Sequence, residues 1–209
     1  MSFKKKLENF WYYYKTPVII VIIVALAGIF LISEMTKSVP SDLSVALVST
    51  GALSDESINF NEALPNVIQD IDNDGGANIT ISRLYISDSM KKDDLEVMKQ
   101  SLEAKLANKG ATLFLVDRTN FDSLIKKDAF CPLDELMNIA EYGDRVICRG
   151  DTPIALSLAG SKVLSNMKFS DDDLYAMILF RRPGEENDPV RVKEYENAVR
   201  VLTELMKQP

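Results

Sequence analysis

The chain has 209 residues, 46% of them hydrophobic and 26% charged, with a net charge of −7 and no histidine. That length accommodates one ordinary domain, or a domain with an appendage, and the composition excludes whole-chain disorder. Without imidazole there is no histidine triad, histidine metal site or imidazole proton shuttle. Two cysteines, Cys131 and Cys148, are too few for a zinc ribbon or an iron–sulfur cluster, and the acidic surplus argues against nucleic acid as a partner.

The first element in chain order is the apolar run Val18–Ile32, VIIVIIVALAGIFLI, in which twelve of fifteen residues are Val, Ile, Leu or Phe. Fifteen residues make only about 22 Å of helix, short of the roughly 30 Å hydrocarbon core of a bilayer. The preceding Trp11, Tyr12, Tyr13 and Tyr14 suit the headgroup interface, so residues 11–32 are expected to form a transmembrane anchor. Lys4, Lys5, Lys6 and Lys15 precede the run, with Glu8 as the one acid there. Residues 1–15 are therefore expected in the cytoplasm and the C-terminal part outside, with membrane lipid as the anchor's partner. The competing readings are a cleaved signal peptide and a buried soluble helix. Against cleavage, the match at Ala25-Leu26-Ala27 lies inside the apolar run rather than at its end.

Residues 33–43 form a short polar tether, and 44–209 the expected extracellular domain. Five of the 24 Lys/Arg and two of the 31 Asp/Glu fall in residues 1–37, which leaves 19 against 29, a net −10, for the remainder. Within the domain, Ser44–Ser49 reads as a buried strand and Phe60–Ile71 as a helix with Asn59 as cap. Asn78–Ile86 alternates as strands do, and Asp93–Asn108 is an amphipathic helix stopped at Gly110. Thr112–Val116 has the all-apolar face of a central strand. Short helices are expected at Asn120–Lys127 and Pro132–Ala140. Strands follow at Arg145–Cys148, Pro153–Leu158 and Leu174–Phe180. The last helix, Val190–Lys207, is capped by Asp188 with Pro189 in its first turn. Strand–helix alternation predicts an α/β fold, a three-layer domain with a mostly parallel sheet.

The segment Thr112–Leu136, TLFLVDRTNFDSLIKKDAFCPLDEL, runs from an apolar strand ending in Asp through a short helix to a Pro-Leu-Asp turn. It resembles the central segment of type-2 periplasmic-binding-protein domains, the extracellular solute-binding proteins of transporters. The FWYYYK block before a Val/Ile anchor is similar to small membrane-anchored members of that group in Gram-positive bacteria. The strand Leu174–Phe180 with the closing AVRVLTELM helix is similar to their returning strand and C-terminal helix. The resemblance implies one lobe of the two-lobed fold, because the stretch between Tyr142 and Asp173 is too short for a second lobe. No ligand-gripping residue is carried over.

Several groups are candidate sites. Asp70, Asp72 and Asp74 before Gly75 open like a calcium loop, three carboxylates two residues apart, but Ile81 stands where such a loop needs its bidentate acid. A plain helix-to-strand turn uses the same residue types. Cys131 and Cys148 are either a disulfide or two thiols packed as small hydrophobes. Arg149-Gly150-Asp151 spells an adhesive tripeptide and equally a tight turn. Asn78-Ile79-Thr80 is a glycosylation sequon. Asp171, Asp172 and Asp173 read as a solvated turn. Thr50, Gly51, Ser87, Asp88, Asp117 and Arg118 follow the carboxyl ends of predicted strands, where α/β sheets collect ligands; the same residues are ordinary helix caps. No catalytic residue and no cofactor beyond the calcium alternative is assigned. The expected function is non-catalytic binding of a solute, peptide or membrane-protein partner outside the cell, the alternative an accessory subunit of a membrane complex without a small-molecule ligand.

Overall fold

A computed structural model describes residues 41–51, 59–64, 66–166, 174–181 and 183–208. The chain divides at Pro40/Ser41, and the architecture below belongs to the second unit. Six strands form one sheet: β1 (Leu43–Ser49), β2 (Ile79–Tyr85), β3 (Leu113–Asp117), β4 (Val146–Arg149), β5 (Thr152–Ser157) and β6 (Leu174–Ile178), in the order β2-β1-β3-β6-β5-β4. The helices are α1 (Phe60–Ala63), α2 (Lys92–Asn108), α3 (Arg118–Leu124), α4 (Lys162–Asn166) and α5 (Pro189–Leu205).

The expectation of a mostly parallel sheet is corrected. The strands expected as one sheet do share it, and β1 pairs in parallel with β2 and β3. From β3 onward every pairing is antiparallel: β3 with β6, β6 with β5 and β5 with β4. The sheet is mixed. For β4 and β5 the reason is local: they are joined by a tight turn at Gly150, φ 62°, and a short turn reverses direction where a parallel pair needs a long crossover. The expected N-terminal transmembrane helix is likewise no part of this architecture. No helix among the described residues is long and apolar enough to cross a membrane, and the segment 11–32 lies outside them.

Side-chain alternation builds a core on each face of the sheet. Leu43, Val45, Leu47, Leu113, Leu115, Ala176 and Ile178 meet Tyr195, Ala198, Val201, Leu202 and Leu205 of α5. On the other face Ala46, Val48, Phe114, Val116 and Met177 meet Leu102 of α2 and Phe121 and Leu124 of α3. Leu113–Val116 is completely buried because β3 is central and covered on both sides.

Two expected helices shrink. The helix predicted over 60–71 ends at Ala63, with Leu64 at φ −125°, ψ 53°. Pro65 follows, and the residue before a proline is pushed out of the helical region. The helix predicted over 132–140 is replaced by 3-10 turns at Leu133–Glu135 and Ile139–Arg145, the second broken at Gly143. α2 stops at Lys109 in the left-handed region, φ 53°, one residue before the expected Gly110. α5 starts as expected, with the Asp188 carboxylate accepting from the Val190 and Arg191 N–H groups.

Candidate functional site

The strand register places the six expected edge positions together. Ser49 pairs with Tyr85, and Val48 with Val116, so Thr50 and Gly51, Ser87 and Asp88, and Asp117 and Arg118 follow the carboxyl ends of three adjacent parallel strands. Asp117 joins two of them. Its Oδ2 accepts from the Thr50 N–H at 2.5 Å, and its Oδ1 from the Asn120 N–H and side-chain amide at 3.0 and 2.9 Å. That carboxylate caps α3 and ties β1 to β3, and these bonds occupy both oxygens. Gly51 O accepts from the Ser49 hydroxyl, and Ser87 Oγ lies 2.9 Å from Ser89 Oγ; Asp88 is exposed. Arg118 projects more than half exposed, donates to the Tyr175 hydroxyl at 2.8 Å and lies 3.8 Å from Asp122. Tyr175 in turn stacks on Phe121, centroids 4.2 Å apart.

At the amino end of β1 the structure draws Asp42, Asp70 and Asp72 together, each offering an oxygen within 4.8 Å of the others. Asp74 is outside this group, and Asp42, which the sequence reading passed over, is inside it. Backbone N–H groups take much of the capacity. Asp42 accepts from Ile71 and Asn78, Asp70 from Asn73 and Gly75, and Asp72 from Asp74. Partial desolvation opposes charge on Asp70, but the Gly75 and Asn73 N–H groups outweigh it and hold its carboxyl below the usual range. Asp72 is pushed up, first by desolvation and then by Asp70 and the charges of Asp74 and Asp42. The loop is a set of turns in which backbone N–H groups answer its carboxylates.

Cys131 and Cys148 are both free thiols, Cys131 buried and Cys148 exposed on β4. Burial pushes the Cys131 thiol up, which suppresses the nucleophilic thiolate. Arg149 of the Arg-Gly-Asp turn pairs with Asp128 at 2.7 Å and donates to Lys127 O. The Asn78 side-chain amide of the sequon donates to Gly76 O. Residues 171–173 lie outside the described residues.

A concavity lies at the opposite end of the sheet from the expected edge. β6 runs antiparallel to β3, with Ile178 beside Leu113, so the residues after β6 emerge where the parallel strands begin. There a hollow of about 370 Å³ is lined by Glu135, Leu136, Arg181, Tyr195, Glu196, Val199 and Arg200. A second, of about 310 Å³, shares Glu135, Leu136 and Arg181 and adds Cys131, Phe180, Pro183 and Glu186. Helical spacing on α5 puts residues 195, 196, 199 and 200 along one side of the first hollow. Tyr195 anchors the wall by donating to Leu179 O at 2.8 Å, and burial pushes its phenol up, so it stays a donor. The Arg181 guanidinium lies over the Tyr195 ring, 4.4 Å from its centroid. Its Nε is sealed from solvent and has no hydrogen-bond partner among the described residues.

Sequence reasoning missed this site because its residues are scattered between 131 and 200 and match no motif. A signal was nevertheless present: the charged Arg181 directly follows the apolar run Leu174–Phe180. Comparison with known protein families, characterised proteins and solved structures returns no match, so the resemblance to solute-binding domains rests on the residues quoted for it.

Proposed function

We propose that this chain is a non-catalytic binding module held at the outer face of a cell membrane by its apolar segment, residues 18–32. The observation that carries the reading is the pair of adjoining hollows at the amino end of the sheet, with Arg181 laid over Tyr195 in their common wall. Ligand sites combine concave shape, apolar surface and a few fixed polar groups, and volumes begin near 300 Å³. Fixing a guanidinium on an aromatic face before the ligand arrives lowers the ordering cost of binding. The lack of histidine and the buried Cys131 thiol favour binding over catalysis.

The test is purification of the full chain from membranes in a mild non-ionic detergent, followed by denaturation and mass spectrometry of the released small molecules. Wild-type protein is expected to release a compound that Arg181→Glu, folded and equally pure, does not carry. Identical profiles from the two proteins, with a membrane protein co-eluting stoichiometrically with both, would establish the accessory-subunit alternative instead.

A further inference from the structure

We infer that the hollows receive a compact zwitterion, a molecule or headgroup carrying one anionic group and one ammonium close together; the inference rests on the binding reading above. The first hollow is lined by two guanidiniums, Arg181 and Arg200, and two carboxylates, Glu135 and Glu196. Among the described residues lining this hollow both signs are present in equal number, and the adjoining hollow adds the Glu186 carboxylate. Yet none of the four side chains forms an ion pair or a side-chain hydrogen bond among the described residues. Elsewhere the fold does pair such groups where they meet, as in Lys109–Glu185, Lys127–Glu103 and Arg191–Glu194. Opposite charges that line one concavity without touching leave a gap between them, and a dipolar ligand fills that gap with both of its ends matched.

Arg181 and Glu135 are the two charged groups common to both hollows, which places the dipole at the junction. The anion goes to the Arg181 guanidinium, a planar donor fork suited to carboxylate or phosphate. The ammonium goes to Glu135. Around them the second hollow is lined by Leu136, Pro183 and Phe180, a ring left 50% exposed, and by the Glu186 carboxylate, which accepts from the Gly184 N–H. The three apolar side chains suit an apolar substituent on the zwitterion. Two sources carry this chemistry, a free amino acid with an apolar side chain and the phosphoethanolamine headgroup of a lipid.

The experiment is isothermal calorimetry on the full chain in non-ionic detergent. The probes are L-leucine, glycerophosphoethanolamine, and the two half-molecules of leucine, 4-methylpentanoate and 3-methylbutylamine. One of the two zwitterions is expected to bind saturably, and which of them binds identifies the source. Each half-molecule should bind more weakly by about tenfold or more, since losing one charged contact is worth about a decade. Arg181→Gln and Glu135→Gln should each produce a loss of similar size with an unchanged melting temperature. Glu135 is exposed, so its variant keeps the test valid if replacing Arg181 disturbs Tyr195. Arg118→Ala, at the other end of the sheet, should bind as wild type does. Half-molecules that bind as tightly as zwitterions, binding indifferent to both hollow variants, or no saturable binding by any probe up to about 10 mM would each overturn the inference. If the probes fail while membrane-purified protein still carries an Arg181-dependent compound, only the ligand class falls. If that compound is missing as well, the binding reading falls with it.

Discussion

Asp117 shows how one side chain decides between structure and ligand. Its carboxylate is the N-cap of α3 and also holds the Thr50 N–H of the neighbouring strand. Losing a cap costs about 0.5–2 kcal/mol, and leaving a half-buried N–H unanswered adds to that. Asp117→Ala is therefore expected to lower stability by about 1–3 kcal/mol in urea unfolding. Asp117→Asn, which keeps one acceptor oxygen, should recover part of the loss. Arg118→Ala should change stability by less than about 0.5 kcal/mol, because its contacts to Asp122 and Tyr175 are made by a side chain that is 57% exposed. Equal effects of Asp117→Ala and Arg118→Ala would show that the cap is not what holds this edge.

The acidic turn carries a pH dependence whose sign can be worked out residue by residue. Asp70 is held below the usual carboxylate range, so its contribution is present above the unfolded value and lost as pH falls through the lowered one. Asp72 is raised, so its charged form is disfavoured in the fold. Stability from Asp72 is full at low pH and is lost as pH rises through its raised value. Asp72→Asn keeps the acceptor for the Asp74 N–H and removes the charge. It is expected to raise the melting temperature at pH 7 and to leave it unchanged at about pH 3, below the ordinary Asp value. A gain that persists undiminished at pH 3 would show that the penalty on the charged Asp72 carboxylate, from desolvation and from its acidic neighbours, is not its source.

At the scale of elements, periodicity made the strands and long helices legible. β1, β2, β3 and β6 lie where alternation or unbroken apolar runs put them, and Asp188 with Pro189 located the start of α5. Strand direction past β3 was not legible, because the apolar run 174–178 reads the same whether it pairs in parallel or antiparallel fashion. The residues that join distant segments were also silent. Asn197 is completely buried and binds Gln69 through both its amide oxygen and nitrogen while donating to Asp42 O. Nothing in the window around residue 197 announces a partner 128 residues away. Glu194 is similar, buried against the Thr112 hydroxyl at 2.6 Å. The hollow around Arg181 belongs to the same class. It exists only once β6, α5 and the 133–135 turn are brought together, so local pattern could place its residues on elements but could not assemble them.

At the scale of the whole molecule, the proposed function depends on a membrane anchor and on the side of the membrane that the sheet domain would occupy. The lysines before the apolar run favour a cytoplasmic N-terminus, and the cysteines supply a reporter of the other end. Cys148 is exposed and Cys131 is buried with its thiol pushed up. A maleimide requires the thiolate and access to it. After brief mild reduction, a membrane-impermeant maleimide added to intact cells expressing the full chain should label one site. Cys148→Ser should abolish that labelling, and Cys131→Ser should leave it intact. Denaturing the labelled protein should then expose a second reactive thiol, at Cys131. Labelling of Cys148 only after permeabilisation would place the domain in the cytoplasm and reverse the orientation. Recovery of the domain in the soluble fraction would remove the anchor altogether. The proposed binding of a zwitterion from outside the cell requires the expected orientation, so cytoplasmic labelling would count against that source.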